Sequence, residues 1–130
     1  MFQATTRSLT VTVHPEYLDD QSKPEEGHFV WAYHVTIENR GDRTVQLLNR
    51  YWRIVDGMGR TQEVRGAGVV GEQPVLEPGG KFEYTSGTPL STPSGFMTGS
   101  YQMSDLDGDR FDVTIPAFSL DSPHFAHSVH

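Results

Sequence analysis

The sequence contains no cysteine in its 130 residues. This absence excludes disulfide bonds, thiolate nucleophiles, zinc sites built on cysteine and iron–sulfur clusters. A domain of this length buries roughly two-thirds of the surface that its unfolded chain exposes, so it forms a core without such cross-links. We therefore predict a single domain over residues 1–123 and a C-terminal tail over residues 124–130.

Long hydrophobic runs are missing as well. No segment approaches the ~18 consecutive apolar residues of a membrane span. Residues 1–13 also lack the charged-then-apolar pattern of a signal peptide. We therefore expect a cytoplasmic protein that has no membrane partner.

Positive charge is scarce. Ten Lys and Arg residues against 17 Asp and Glu residues give a formal net charge of −7, so the molecule as a whole repels the phosphate backbone of nucleic acids. Six arginines nevertheless fall in one half of the chain: Arg40, Arg43, Arg50, Arg53, Arg60 and Arg65. We interpret them as solvated charges on strand edges, with a basic patch on one side of a sheet as the alternative, and we predict no nucleic-acid partner.

Helical periodicity is also absent beyond one or two turns. Instead, apolar residues alternate with polar ones, most clearly in His28–Arg40, where five large side chains share one face. The predicted strands are residues 7–14, 28–40, 44–55, 60–65, 81–86, 95–103 and 110–116, and residues 86–95 are predicted to be a loop. Turns every eight to twelve residues predict an all-β fold: an antiparallel two-sheet sandwich of about seven strands, immunoglobulin/fibronectin type III-like.

The apolar pattern changes phase within the predicted strand 44–55. Its apolar residues shift from odd positions at Leu47 to even positions at Trp52. One extra residue would restore the register, so we predict a β-bulge within residues 47–49.

Three glycines after the fourth predicted strand have the G-x-G-x-x-G spacing of a dinucleotide-binding turn: Gly66, Gly68 and Gly71. In that motif the glycines precede a helix whose N-terminal amides bind a pyrophosphate. Here residues 74–80 contain two prolines and two glycines, which prevent such a helix. We predict that these glycines serve turns and close packing. The alternative is a nest of backbone amides that binds a pyrophosphate-containing nucleotide with help from Arg65, with Arg53 as a second candidate.

Patterns for catalysis are weak. The chain has no G-x-S-x-G nucleophile motif, and its paired carboxylates lie in a polar loop where nothing would separate their pKa values. We therefore predict no catalytic residues, no cofactor and no enzyme activity.

Patterns for metal binding are also weak. Asp105, Asp107 and Asp109 are similar to part of a calcium loop, but Met103 and Thr114 stand where the loop needs its first and last carboxylates. We predict a solvated hairpin tip there, with weak binding of a hard cation as the alternative. Histidines at 124, 127 and 130 recur every third residue, but a frayed tail holds no fixed ligand geometry, so we predict no metal site.

The order of the sequence motifs resembles that of one family. The motifs are QSKPE at residues 21–25, FVWAYHVTIEN, LLNRYWRIVDGMG, V-x-G-x-GVVG-x-QPVLEPG, F-x-YTSG, G-x-M-x-G-x-Y-x-M and F-x-V-x-IP-x-F-x-L. Together they resemble the ApaG family, also called CorD, from about Arg7 to Pro123. The resemblance implies a fibronectin type III-like fold in a small bacterial protein and a genetic link to magnesium efflux and cobalt tolerance. Related domains in eukaryotic F-box proteins and in a polymerase-delta-interacting protein imply an adaptor role.

The resemblance supplies no catalytic residues to transfer to this chain. We therefore predict a non-enzymatic protein-interaction module associated with divalent-cation (Mg/Co) homeostasis. It would bind an unknown protein partner through its sheet edges or through residues 66–80, and a homodimer is a second arrangement that we consider. The alternative functions are a nucleotide binder that uses the glycine loop and a weak direct binder of divalent cations.

Overall fold

A computed structural model of the chain describes residues 1–124. Two short 3-10 helices, Asp19–Gln21 and Pro24–Glu26, lie in the acidic segment. Within residues 1–124 the structure contains no helix with the length and hydropathy of a membrane span. The strands within residues 1–124 are β1 (Phe2–Thr6), β2 (Leu9–Tyr17), β3 (Phe29–Asn39), β4 (Val45–Asp56), β5 (Thr61–Ala67), β6 (Val75–Leu76), β7 (Lys81–Leu90), β8 (Ser94–Asp105) and β9 (Arg110–Asp121).

The strands form two antiparallel sheets that face each other. One sheet has the order β1-β2-β3-β7, and the other has the order β5-β4-β8-β9, with β6 paired to the start of β4. Strands β1 and β2 pack against β9, and on that side the ring of Phe2 lies 6.1 Å from the ring of Phe118. The sandwich is therefore closed along β1 and β9, while β5 and β7 are the outermost strands of the opposite side.

Strand β3 supplies much of the core. The side chains of Trp31, Val35 and Ile37 are almost completely buried between the sheets, as the alternation in the sequence predicts. Trp31 Nε1 also donates a hydrogen bond to the Asp121 carbonyl oxygen at 2.9 Å, which links β3 to β9 across the sandwich. Burial of such apolar side chains, aliphatic and aromatic, drives the packing of the two sheets against each other.

Two tyrosines meet inside this core. The hydroxyl groups of Tyr84 on β7 and Tyr101 on β8 share a hydrogen bond. Burial raises the pKa of each above the usual value of about 10. Both hydroxyl groups therefore stay protonated at neutral pH and act as a paired polar contact within an apolar core.

The structure confirms the all-β two-sheet sandwich and the bulge in β4, where the register with β8 shifts between Leu47 and Asn49. The strand count differs slightly from the predicted number of about seven, because the described residues form nine. The two additional strands are β1, which reaches β2 through a tight turn with positive φ at Arg7 and Ser8, and the two-residue strand β6.

The predicted loop over residues 86–95 is also wrong, because β7 continues to Leu90 and β8 begins at Ser94. The loop was predicted because the segment is rich in Ser, Thr, Pro and Gly, and Pro89 within it is a residue type that usually ends a strand. The Asn39 amide donates to the Gly80 carbonyl oxygen, so the backbone N–H and C=O groups of the even-numbered residues of β7 bond to β3. The N–H and C=O groups of the odd-numbered residues therefore point away from the sheet. Pro89 therefore lies at a position of this edge strand where no N–H is needed.

Candidate functional site

The glycine motif lies beside the bulge of β4. The Gly68 amide donates to the Leu48 carbonyl oxygen at 2.8 Å, and Gln73 Nε2 donates to the same oxygen at 2.9 Å. Gly68 and Gly71 have φ angles of +64° and +80°, the left-handed conformation that glycine adopts without steric cost. The bulged carbonyl thus anchors both ends of a loop, after which the chain returns to the sheet as β6. No helix follows the glycines, as the sequence predicts.

Several amides of this loop are already bonded. The Val69 amide donates to the Glu72 carbonyl oxygen at 2.8 Å, and the Glu72 amide donates back to Val69 at 2.9 Å. The Gly68 amide is bonded to Leu48, as described above. An anion that used these three amides would have to displace hydrogen bonds of the loop itself, which costs free energy.

Arg50 lies across the motif from the neighbouring strand. Its Nη1 donates to the carbonyl oxygens of Ala67 and Gly68, both at 3.0 Å. A Cβ atom on Gly66 would lie 2.8 Å from the same nitrogen, so Gly66 leaves space for the guanidinium group. The sequence analysis does not connect Arg50 with the motif. The connection depends on the pairing of β4 with β5, which places Arg50 opposite Gly66.

A groove of about 540 Å³ opens on the outer face of the β5-β4-β8-β9 sheet beside this motif. We call it the outer groove. Its floor is fixed by a hydrogen bond of 2.7 Å from Asn49 Nδ2 to Gln102 Oε1. The residues that line it are Asn49, Arg50, Tyr51, Arg65, Gly66, Ala67, Ser100, Gln102 and Asp112.

Tyr51 and Arg65 form one wall of the outer groove. The Arg65 guanidinium carbon lies 4.6 Å from the centroid of the Tyr51 ring, a cation–π contact. The Tyr51 hydroxyl donates to Glu63 Oε2 at 2.7 Å, and Arg65 Nη2 lies 3.3 Å from the same oxygen. The hydrogen bond from Tyr51 and the charge of Arg65 lower the pKa of Glu63, so this carboxylate stays ionised and holds both side chains in place.

The four residues that the sequence assigns to a glycine-loop site are separated in the structure. Arg65 and Gly66 line the outer groove, whereas Gly68 and Gly71 lie in the loop beyond it. Tyr51, Asn49 and Gln102 were not predicted, because only the register of β4 with β5 and β8 brings them beside Arg65.

The three carboxylates of the acidic hairpin between β8 and β9 lie close to two arginines. Arg43 Nη1 lies 3.3 Å from Asp105 Oδ2 and 3.6 Å from Asp107 Oδ2, and Arg7 Nη1 lies 3.3 Å from Asp109 Oδ2. Asp105 Oδ1 also accepts the amides of Asp107 and Asp109. Across residues 1–124, no group of three or more His, Asp or Glu side chains could hold a metal ion.

The histidines of the described part have local roles. The two ring nitrogens of His34 lie 2.8 Å from Thr85 Oγ1 and 3.1 Å from Glu16 Oε2 on the strand surface. The ring of His124 packs 6.0 Å from that of Tyr17. The histidines at 127 and 130 lie outside the described residues.

Comparison with known proteins agrees with the resemblance of the sequence motifs. Residues 19–105 match the family model of the ApaG domain. The chain belongs to the ApaG family. The Protein ApaG of Paramagnetospirillum magneticum is 67% identical over 124 residues, which are 95% of each chain. The Protein ApaG of Parvibaculum lavamentivorans is 60% identical over 130 residues, the whole of both chains.

A solved structure supports the fold of this ApaG-family domain. The crystal structure of an ApaA protein from Bordetella pertussis is similar to it with a TM-score of 0.86 and 50% sequence identity, over 88% of this chain and 94% of the other. The family resemblance and the fibronectin type III-like sandwich expected from the sequence are therefore both confirmed. The glycine motif and the outer-groove residues up to Gln102 lie within the part that matches the ApaG domain.

Proposed function

We propose that this ApaG-family protein is a non-enzymatic interaction module that binds a segment of a protein partner in the outer groove. The observation that carries the proposal is the Tyr51–Arg65 wall, which Glu63 holds in place. Tyrosine and arginine are enriched among the residues that dominate binding energy at protein interfaces. Because both side chains are already fixed, little conformational entropy is lost when a partner binds.

The charges of the groove indicate the chemistry of the partner segment. Arg65 lies on β5 at one side of the groove, and Asp112 lies on β9 at the other. Between them the lining consists of the Asn49–Gln102 amide pair and the hydroxyl group of Ser100. This arrangement suits an extended polar segment that carries an acidic side chain toward Arg65 and a basic one toward Asp112.

We place this interaction in divalent-cation homeostasis, because the ApaG family is linked to magnesium efflux and cobalt tolerance. An effect on cation levels through a protein partner is the simpler explanation, because the carboxylates of the acidic hairpin are already paired with Arg7 and Arg43. Weak direct cation binding by Asp105, Asp107 and Asp109 stays a prediction with less support, since a cation would have to compete with these arginines.

A photo-crosslinking experiment tests the groove. A photoreactive residue at Ala67, within the groove, should capture a defined partner in cells, whereas the same residue at Glu83 on the other sheet should not. Arg65→Ala should weaken binding of the captured partner about thirtyfold, because truncation of a dominant interface residue costs about 2 kcal/mol. The same variant should fail to restore cobalt tolerance to a strain that lacks the protein.

The control for this experiment is the stability of the folded Arg65→Ala variant. Arg65 is exposed, so the alanine variant should unfold at nearly the same urea concentration as the parent. Equal capture at Ala67 and Glu83, or full partner affinity and cobalt tolerance in the folded Arg65→Ala variant, would contradict the proposed function.

A second candidate is a pyrophosphate-containing nucleotide, which the position of Arg65 beside Gly66 in the groove favours. Titration with ATP, diadenosine tetraphosphate and pyrophosphate should then shift the amide NMR signals of Gly66, Gly68 and Gly71. No shift at millimolar ligand would exclude this candidate.

A further inference from the structure

Strand β5 has a free edge. In the described part of the chain it pairs only with β4. The Arg60 carbonyl oxygen accepts the Asp56 amide just before β5, and the Gly68 amide donates to Leu48 just after it. Hydrogen-bonded positions alternate in an antiparallel pair, so the even residues of β5 bond to β4. The N–H and C=O groups of the odd residues, including Glu63 and Arg65, therefore point away from the sheet.

This edge lacks a proline that would block pairing. Strand β7, the other outermost strand on this side, carries Pro89 at an outward position, which removes a donor and blocks a further strand. Strand β5 contains no proline. Beneath its edge lies a cleft of about 290 Å³ between the sheets, lined in part by Val64 and Trp52.

We propose that β5 pairs antiparallel with β5 of a second copy of this chain, about a two-fold axis at Val64. In this register Glu63 of each copy lies opposite Arg65 of the other, and Val64 lies opposite Val64. The four charges then alternate in sign on the outer face of one continuous sheet. Opposite charges directly across a strand pair are stabilising.

The sequence of β5 selects this register over its neighbours. Residues whose N–H and C=O groups point away from the sheet can bond only to residues of the second copy that do the same. The register of the pair can therefore change only in steps of two residues. One step brings Glu63 opposite Glu63 of the second copy, and the opposite step brings Arg65 opposite Arg65. Both alternatives place like charges across the pair, which is destabilising.

Val64 supplies the apolar part of the contact. It is half-buried and packs against the core at the cleft between the sheets. At the two-fold axis it occupies a non-hydrogen-bonded pair, where Cα atoms approach to about 4.5 Å and side chains touch closely. The two Val64 side chains therefore shield each other from water. A single-strand interface is smaller than that of stable dimers, so we expect association to depend on concentration.

The pairing uses Arg65, a wall residue of the outer groove, and Glu63, which contacts it, but it can be tested separately from the proposed function. It extends the sheet in its own plane, so the outer face that carries the outer groove stays open in both copies. Failure of the dimer would leave the partner site intact, and failure of the partner site would leave the dimer intact.

A charge-swap experiment tests the dimer. Sedimentation velocity from about 1 μM to about 1 mM should show a monomer–dimer equilibrium for the parent chain. E63R alone and R65E alone should each weaken dimerisation at least tenfold, because each places like charges across the pair. A 1:1 mixture of these two variants should dimerise again, since every Glu63–Arg65 position then regains opposite charges. The double variant E63R/R65E should dimerise by itself for the same reason.

Matched controls change the same charges on the other outermost strand. E83R and K81E on β7 should leave the dimer unchanged. Recovery of dimers in the mixture also shows that both single variants are folded. The proposal is overturned if the parent chain stays monomeric at about 1 mM, if E63R and R65E both still dimerise alone, or if their mixture stays monomeric while the parent dimerises.

Discussion

Gly68→Ala is expected to lower the free energy of unfolding by roughly 3 kcal/mol or more, the sum of a left-handed backbone cost and a steric clash. A Cβ atom at Gly68 would lie 2.3 Å from the Glu72 carbonyl oxygen. That oxygen accepts the Val69 amide, and the Glu72 amide is bonded back to Val69. The carbonyl therefore cannot move away unless the turn opens.

Gly71→Ala is the matched control. Gly71 has a φ of +80°, but a Cβ atom there meets no atom within 4 Å. Its substitution should cost only the left-handed backbone term of about 1–2 kcal/mol. Urea unfolding of both variants measures the difference. Equal costs would contradict the role of Gly68 as the point of closest backbone approach in the loop.

This contrast shows what the sequence could predict about the glycine motif. The prolines that follow it rule out a helix on local grounds, and the phase change at Leu47 predicts the bulge to which the loop is attached. The contact of Arg50 with the loop could not be predicted in the same way. It depends on the register of β4 with β5, which places Arg50 opposite Gly66 although the two residues are far apart in the chain.

The errors in strand prediction have a similar origin. Pro89 is a strand breaker in the interior of a sheet but not on an outward position of an edge strand. Whether β7 is an edge strand follows from the order of strands in the sheet, which local sequence does not encode. The outer groove is equally non-local, because Tyr51, Arg65 and Gln102 come from three strands.

Asn39 has a local role that is typical of a turn residue and a long-range role that the sequence does not reveal. The turn chemistry of residues 39–43 predicts a hydrogen bond from this side chain to the nearby backbone. Asn39 Oδ1 does accept the Gly41 amide at 3.0 Å, and Nδ2 donates to the Arg43 carbonyl oxygen at 2.7 Å. Nδ2 also donates to the Leu76 carbonyl oxygen at 3.0 Å, which ties the end of β3 to β6 in the other sheet.

Asn39→Ala is expected to lower the free energy of unfolding by roughly 3–4 kcal/mol. The side chain is 1% exposed, and its loss leaves three backbone groups without a partner, at about 1–3 kcal/mol for a fully buried group and less for the two nearer the surface. Asp42→Ala in the same turn is the control. Asp42 is exposed, so its removal should change stability by less than about 0.5 kcal/mol. Urea unfolding measures both values.

The same substitution should loosen the glycine loop, because that loop ends at β6 and Asn39 helps to hold β6 in place. The Leu47 amide, which donates to the Pro74 carbonyl oxygen at 3.0 Å, should exchange its hydrogen faster in Asn39→Ala than in the parent, and by more than the loss of global stability requires. If Asn39→Ala lowers the free energy of unfolding by less than about 1 kcal/mol, or leaves the relative hydrogen-exchange protection of the Leu47 amide unchanged, β6 is held by its pairing with β4 alone.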